Sequence, residues 1–447
     1  MEQQPKNSSP FHSTHGDRVR IALGILSAPR QYVRPWYIAY LLLGMVTAGL
    51  LPVLLPLTVE ALSHRLATVA YVLGAYNLGL LTSPLYGTMA ERRQLYRQLF
   101  LGGFLLTALA VAALPVAGGL AGWVASAFLI GAGSGCAATL ATLFVVDFVP
   151  RPEWEPRIGW LQSCNAAGQV AGLFLAAAFS DHRWTIGLWV AAGILLPAML
   201  IGGIGLPVPR KEPLPHPQHH EVHAQLNVHV LSVFPTFGLP SGIGVHLHHL
   251  NQQGLRHLPE AIRTPFGRFL LSWFMLGLAV SAFFSYFPLM LAKSYGIGAN
   301  VSAMIYAVTV VFCTGLYVLT SRLASRFGAA AIYRAGLILR IAGFALLLIP
   351  FLLPMGGPER TLIGAVGLVV IVLAWPTLSV TGTDLAAHLT PFSEGAAVGL
   401  TNAALALATA IGTLISGPLV HRWGYGTIPM MALSGLVISL LVEAYRS

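Results

Sequence analysis

The segment from Tyr37 to Val59 decides the fold class, because its sequence YIAYLLLGMVTAGLLPVLLPLTV contains no charged residue. A run of about 20 apolar residues matches the hydrocarbon thickness of a bilayer. Only a helix or a closed barrel satisfies its own backbone in lipid, so this run is expected to cross a membrane as a helix. Eleven further apolar runs follow at 67–90, 98–117, 120–148, 157–180, 184–207, 268–292, 299–320, 330–354, 361–386, 395–419 and 426–444.

The whole-chain composition agrees with an all-α integral membrane protein of twelve transmembrane helices. Of the 447 residues, 56% are hydrophobic and 9% are charged, and the mean hydropathy is +0.73. A soluble domain carries about 25% charged residues. The polar start up to Arg34 is too long for a cleavable signal peptide. The three cysteines, Cys136, Cys164 and Cys313, are scattered within predicted spans, which excludes a disulfide framework.

The distribution of Lys and Arg predicts the orientation in the membrane. With the N-terminus in the cytoplasm, the tail and the inner connections hold 20 of the 25 Lys and Arg residues. Cytoplasmic loops of membrane proteins carry such an excess. We therefore expect a multi-pass protein of the cell (inner or plasma) membrane with both termini in the cytoplasm. The net charge of +10 then reflects topology and contact with anionic membrane lipid rather than nucleic-acid binding.

The predicted spans divide into two sets of six around a long polar segment. We expect a cytoplasmic tail at 1–36 and an N-terminal six-helix bundle at 37–207. A cytoplasmic His-rich central segment at 208–267 and a C-terminal six-helix bundle at 268–445 follow. The sequence therefore predicts two bundles joined by a polar linker.

The second half of the chain repeats features of the first half in the same order. Asp147 and Asp384 each precede a stretch of Gly and amide residues that ends in the tripeptide His-Arg-Trp. The matched positions are Gly159 and Gly399, Gln162 and Asn402, Gly172 and Gly412, and the tripeptides at 182–184 and 421–423. Parallel six-helix repeats about an axis normal to the membrane are a transporter architecture.

Two motifs resemble those of the major facilitator superfamily. The connection after the second span, Gly87-x-x-x-Glu91-Arg92, is similar to the family signature after helix 2, which is usually Gly-x-x-x-Asp-Arg-x-Gly-Arg. The pattern Gly49-x-x-Pro-x-x-x-Pro in the first span resembles one that is common in the family's twelve-helix exporters. The resemblance implies the twelve-helix fold of that family and secondary transport by alternating access.

The sequence departs from the family signatures at several positions. Glu91 replaces Asp, and the second copy after span 8 keeps Arg326 but has Ser325 at the acidic position. The antiporter signature of helix 5 normally pairs Gly with Pro, and no proline accompanies Gly168 or Gly172. These departures weaken the resemblance to the drug-antiporter subgroup and leave the resemblance to the superfamily intact.

Charged residues near the predicted helix ends are candidates for gating. In the resembled family, the connections after helices 2 and 8 brace the cytoplasmic side of the outward-facing state. Ionisable groups at membrane depth are costly and tend to be paired or functional. For the two aspartates, Asp147 and Asp384, three interpretations are open: a role in gating, a role in proton coupling, or a location at the lipid headgroups without a transport role. The candidate gating residues are Gly87, Glu91, Arg92, Asp147, Arg157, Arg326 and Asp384.

Polar uncharged side chains mark the expected substrate path. Gln162, Asn165 and Gln169 fall at i, i+3 and i+7, on one face of a helix. Hydrogen bonding between helices is the alternative role. The middle of the spans holds no obvious acid, which favours an uncharged or anionic substrate, because a cation needs a counter-charge in low dielectric. The candidate path residues are Asn77, Gln162, Asn165, Gln169, Tyr306, Thr309, Tyr317, Trp375 and Asn402.

Histidines are concentrated in the central segment, where nine of the 15 lie between His216 and His257. Imidazoles at such spacing can bind Zn, Ni, Co or Cu ions. A solvated linker and a pH sensor are the alternatives. The candidate metal ligands are His219, His220, His223, His246, His248 and His249.

The sequence thus predicts an exporter of a small organic solute, driven by an ion gradient such as that of H+ and acting as a monomer without a cofactor. The alternative is an exporter of divalent Ni, Co or Zn ions, with the His-rich segment as collector. An inactive relative that serves as a receptor is a third hypothesis. Enzymatic activity has no support, because the sequence shows no nucleophile–base pair and no cofactor fingerprint.

Overall fold

The computed structural model describes residues 33–148, 154–181, 183–206, 264–389 and 394–445. Regular structure within these ranges is helical throughout. The helices of the first half are α1 (Tyr37–Ser63), α2 (Leu66–Leu80 and Ser83–Arg93), α3 (Tyr96–Ala113), α4 (Gly119–Phe148), α5 (Trp154–Phe179) and α6 (Trp184–Gly205). Those of the second half are α7 (Pro265–Tyr295), α8 (Ala299–Phe327), α9 (Ala329–Leu352), α10 (Gly357–Leu373 and Trp375–Leu389), α11 (Glu394–Trp423) and α12 (Thr427–Ala444).

The predicted all-α membrane fold is confirmed. Within the described ranges, 11 helices are long and apolar enough to cross a membrane. The remaining predicted span is α5, a helix of 26 residues whose hydropathy is lowered by the amides Gln162, Asn165 and Gln169. Three helices are irregular: α1 contains a π-helical turn at Met45–Leu50, and α2 and α10 are each interrupted.

Local sequence explains where α7 begins and ends. The Thr264 hydroxyl accepts a hydrogen bond from the Gly267 amide at 3.0 Å, and Pro265 occupies the first turn, where no amide hydrogen is needed. Gly296 ends the helix with a φ of 69°, which glycine adopts without strain. Because α8 begins at Ala299, the short connection holds α7 and α8 as antiparallel neighbours.

Glycines bring the backbones of α1 and α5 into direct contact. A Cβ atom on Gly168 would lie 1.9 Å from the Leu41 carbonyl oxygen, and one on Gly172 would lie 2.0 Å from the Met45 carbonyl oxygen. Small residues at helix interfaces in membranes allow this close approach. The contact faces the π-helical turn of α1, so the irregular part of α1 is held against α5.

The two halves meet along two helix pairs. In one pair α2 packs against α11, and in the other α5 packs against α8. Helix α8 is the counterpart of α2 in the sequence repeat, and α11 is the counterpart of α5, so the two pairs are equivalent. A smaller contact joins α1 to α7. The interface between the halves thus has the two-fold relation that the repeat predicts.

Candidate functional site

Polar contacts join the two halves on the side of the bundle away from the chain termini, called the distal side here. At this side Glu60 at the end of α1 forms an ion pair with Lys293 of α7. Asn300 Nδ2 at the start of α8 donates to Asp181 Oδ2 after α5 at 3.1 Å. These contacts join the distal ends of the two halves, and we call them the distal closure.

Two tyrosines lie at the distal closure, and one of them adds a hydrogen bond between the halves. The Tyr286 hydroxyl of α7 donates to the Leu66 carbonyl at the start of α2, at 2.9 Å. Tyr425, in the turn between α11 and α12, lies near Glu60. Burial and the negative charge of Glu60 raise the pKa of Tyr425, so its hydroxyl keeps its proton at neutral pH.

Asn77 lies deeper in the interface, where α2, α7 and α11 meet. Its Nδ2 atom donates to the Leu73 carbonyl at 3.1 Å and lies 3.4 Å from the Thr413 hydroxyl of α11. Thr413 also shares a hydrogen bond of 3.0 Å with Ser285 of α7. The buried Oδ1 atom of Asn77 has no hydrogen-bond partner among the described residues. The predicted path residue Asn77 therefore lies at the contact between the two halves, and its Oδ1 atom accepts no hydrogen bond from the described residues.

The amide face of α5 is directed at α1 of the same half. Gln162 is buried beside Tyr40, and the Asn165 backbone packs on Gly44. Gln169 Nε2 donates to the Ala48 carbonyl at 3.2 Å. The alternative role for this face, hydrogen bonding between helices, therefore holds for Gln169 in this conformation.

A buried aromatic cluster in the second half surrounds Arg340 of α9. We call it the Arg340 cluster, and its members are Arg340, Trp273, Trp375, Tyr306, Tyr317 and Cys313. The Arg340 guanidinium lies 5.3 Å from the centre of the Trp375 ring, and the rings of Trp375 and Trp273 are 6.1 Å apart. Three predicted path residues, Tyr306, Tyr317 and Trp375, thus meet around a cation.

Sequence reasoning missed Arg340, which is one of the 20 cationic residues assigned above to the tail and inner connections. That assignment is wrong for it, because Arg340 lies within α9 and is 0% exposed. The signal was available in the sequence, since Arg340 interrupts the apolar run Ala335–Leu353 as its sole charged residue. An isolated charge inside a span is a functional candidate by default.

Thr309, the third predicted path residue of α8, faces away from the Arg340 cluster. It lines an apolar groove of about 740 Å³ between α8 and α10, with Ile305, Leu316 and Leu373 among its neighbours. The Thr309 hydroxyl donates to the Ile305 carbonyl of its own helix at 2.6 Å. The predicted path residues of α8 are therefore divided, with Tyr306 and Tyr317 in the Arg340 cluster and Thr309 in an apolar groove.

The described gating candidates lie at different places on the bundle. A Cβ atom on Gly87 would lie 3.6 Å from Thr139 Cγ2 of α4, an ordinary van der Waals contact, so the packing of α2 on α4 does not require glycine there. Arg157 is buried beside Tyr37 of α1. Arg326 lies 5.4 Å from the Phe327 ring, and Asp384 Oδ1 is 3.1 Å from His388 Nδ1.

Several predicted site residues fall outside the described part of the structure. The side chains concerned are those of Glu91, Arg92, Asp147 and Asn402, together with His219, His220, His223, His246, His248 and His249. Within the described part, no group of three or more His, Cys, Asp or Glu side chains could hold a metal ion.

The two related helical bundles and the polar interface between them define a membrane transporter. The chain belongs to the Major Facilitator Superfamily, whose family model matches residues 36–413. Members of this family are transporters and not enzymes, so the chain is a secondary transporter with a small-molecule substrate. The predicted family is thereby confirmed.

Solved transporter structures share the fold at low sequence identity. The nucleoside transporter NupG is similar with a TM-score of 0.67 at 13% identity, covering 92% of this chain and 97% of that chain. The POT family transporter PepTSo is similar with a TM-score of 0.67 at 14% identity, covering 94% and 97%. A bacterial homologue of the human lysosomal transporter Spinster, inward-facing and unoccupied, is similar with a TM-score of 0.61 at 12% identity, covering 97% of each chain. Among curated proteins, no sequence matches the chain significantly.

Proposed function

We propose that this transporter exports a small organic solute from the cytoplasm, driven by an ion gradient. The observation that carries the proposal is the polar closure on the distal side, where Glu60 and Asp181 of one half hold Lys293 and Asn300 of the other. Exposed ion pairs and single hydrogen bonds contribute about 1 kcal/mol or less each. Such contacts can therefore break and re-form when the halves rock.

The cytoplasmic location of the termini is part of the same proposal and rests on the excess of Lys and Arg in the connections on that side. With that orientation the distal side faces outward, and the conformation described here is closed to the outside. A solute would enter from the cytoplasm between the halves and leave when the distal contacts open.

The direction of transport is supported by α1. Its π-helical turn contains Gly49, the first residue of the exporter-like Gly-x-x-Pro pattern, and is held against α5. π-helical turns are rare and often occur at functional sites. In the proposal this turn absorbs part of the movement of α1 against α5, and Asn77, Gln162 and Asn165 border the path.

Reconstitution with an imposed proton gradient tests the proposal. The purified chain would first be screened for thermal stabilisation by organic compounds and by Ni, Co and Zn ions, because ligands that bind the folded state raise its melting temperature. The stabilising compound is then loaded into proteoliposomes with a pH gradient of either sign. Gradient-dependent movement of an organic solute supports the proposal. Movement of metal ions alone would replace it with the metal exporter.

A further inference from the structure

The strongest unexplained feature outside the distal closure is the buried charge of Arg340. Its side chain is 0% exposed within α9. Nε and Nη2 both donate to the Ile371 carbonyl, at 3.3 and 3.2 Å, and Nη1 has no hydrogen-bond partner among the described residues. Burial of an ionised group is costly unless it is paired. The part of the chain that the structure describes therefore satisfies the positive charge of Arg340 only in part.

Among the described residues, none supplies a counter-ion to Arg340. The groups that interact electrostatically with it are Tyr306, Cys313, Tyr317 and Tyr333, none of which is a carboxylate. The Trp375 ring offers a cation–π contact at 5.3 Å, worth about 2 kcal/mol when desolvated. The Ile371 carbonyl lies in the last turn before the break in α10, where helix carbonyls lack partners of their own. These contacts fix the guanidinium without neutralising it.

The Arg340 cluster contains an excess of hydrogen-bond donors. Besides Arg340 Nη1, the indole Nε1 of Trp273 is buried without a hydrogen-bond partner among the described residues. The Tyr317 hydroxyl is buried beside the Ser379 side chain but forms no hydrogen bond of standard geometry with the described residues. A ligand that satisfies them must be an acceptor and carry negative charge. A carboxylate has about four lone-pair positions and accepts a bidentate contact from arginine.

We propose that the Arg340 cluster binds the carboxylate of the transported solute, so that the substrate class is an organic carboxylate. This inference rests on the proposed transport of an organic solute. The indole rings of Trp273 and Trp375 give the site apolar walls, which favour a carboxylate with an apolar body over sulfate or phosphate. A neutral solute leaves the charge of Arg340 uncompensated, and a cation is repelled by it.

The interruption of α10 offers a route of access to the enclosed cluster. Helix α10 breaks at Ala374, directly before Trp375, and Pro376 follows. Proline has no amide hydrogen for the preceding turn, so the two parts of α10 can change their relative angle more easily than a continuous helix. A pivot there would move Trp375 away from Arg340 and open the cluster.

Thermal stabilisation of the purified full chain in detergent provides the first test. The probes are benzoate and phenylacetate, their neutral amides benzamide and phenylacetamide, and inorganic sulfate and phosphate. We expect saturable stabilisation by the carboxylates, its loss in Arg340→Met and its retention in the control Arg334→Met, on the same helix. Equal stabilisation by the amides, or by sulfate and phosphate, would overturn the proposal. So would unchanged carboxylate binding in a folded Arg340→Met protein.

A second variant keeps the proposal testable if Arg340→Met does not fold. Tyr317→Phe removes only a hydroxyl, and we expect it to weaken carboxylate binding about tenfold, the usual effect of losing a hydrogen bond to a charged group. Unchanged affinity in Tyr317→Phe would contradict the proposed site. Proteoliposomes then separate the two proposals. Carboxylate binding that depends on Arg340, without any transport, would support the proposed binding site and refute the proposed export. Transport of neutral solutes alone would support the proposed export and refute the proposed binding site.

Discussion

Gln169 Nε2 lies 3.2 Å from the Ala48 carbonyl oxygen, the atom that an α-helix would pair with the amide of residue 52. Residue 52 is proline and has no amide hydrogen. A side chain of α5 therefore donates to a carbonyl in the π-helical turn of α1, four residues before a proline that cannot donate in return. This contact explains why an amide is needed at a position that faces a neighbouring helix.

The second half contains a related contact. Cys313 Sγ of α8 lies 3.7 Å from the Val372 carbonyl, which precedes Pro376 of α10 by four residues. In both halves a neighbouring helix thus donates to a carbonyl that lies four residues before a proline. Each contact lies at an irregular part of a helix, the π-helical turn in α1 and the break in α10. We infer that hydrogen bonds from a neighbouring helix stabilise these irregular parts of α1 and α10, and that the helix geometry there can still change.

Replacement of Gln169 by leucine tests the first of these contacts. Gln169→Leu removes the Nε2 donor from the buried Ala48 carbonyl, and the loss of a buried hydrogen-bond partner costs about 1–3 kcal/mol. We expect a lower melting temperature in detergent for this variant. Gln98 is exposed on α3, so Gln98→Leu should leave the melting temperature unchanged. A Gln169→Leu protein as stable as the parent would show that the contact contributes nothing.

The close approach of α1 and α5 predicts that a single methyl group is not tolerated at Gly168. In Gly168→Ala the new Cβ would lie 1.9 Å from the Leu41 carbonyl oxygen, so the helices must separate. Overpacking of this kind costs about 1–3 kcal/mol or more. We expect a low yield of folded protein, measured by size-exclusion chromatography of the detergent extract.

Gly193 of α6 provides the matched control for this substitution. A Cβ atom there would meet no atom within 4 Å, so Gly193→Ala should yield as much folded protein as the parent chain. If Gly168→Ala and Gly193→Ala give equal yields, the contact between α1 and α5 is not required for folding.

The number and type of the helices follow from the sequence, because apolar runs of membrane length have few other solutions. The role of the α5 amides does not follow, since a stripe at i, i+3 and i+7 fits both a substrate path and a helix contact. Which of these holds depends on what packs opposite, and for Gln169 that is the Ala48 carbonyl of α1. The surroundings of Arg340 were likewise not predictable, because Trp273, Tyr317 and Trp375 come from three other helices.

The distal closure predicts that linking Glu60 to Lys293 stops transport. In a background without native cysteines, Glu60→Cys with Lys293→Cys would be joined by a short bifunctional thiol reagent. We expect transport in proteoliposomes to be lost on treatment, because the halves can no longer separate on that side. Each single-cysteine variant should keep its rate after the same treatment. Full transport by the linked protein would show that this side does not open.

The gating candidates at the ends of α2 and α4 predict a loss of turnover without a loss of protein. We expect Glu91→Gln and Asp147→Asn to be expressed at the parent level and to transport more slowly, because each removes a charge assigned to the gate. Initial rates per amount of reconstituted protein measure the effect. Arg93 is an exposed neighbour without an assigned role, and Arg93→Gln is the control. Parental rates in both acidic variants would refute the gating assignment.

The His-rich segment predicts a separation between metal binding and transport. Deletion of 216–249 removes the six candidate ligands, and a full-length variant with those six histidines changed to alanine removes only their imidazoles. If the segment is a linker, both proteins should transport the organic solute at the parent rate, and both should lose Ni²⁺ binding measured by calorimetry. Slower transport in the deletion alone would assign a role to the length of the segment. Slower transport in both would make the imidazoles part of the transport cycle and favour the metal-ion hypothesis.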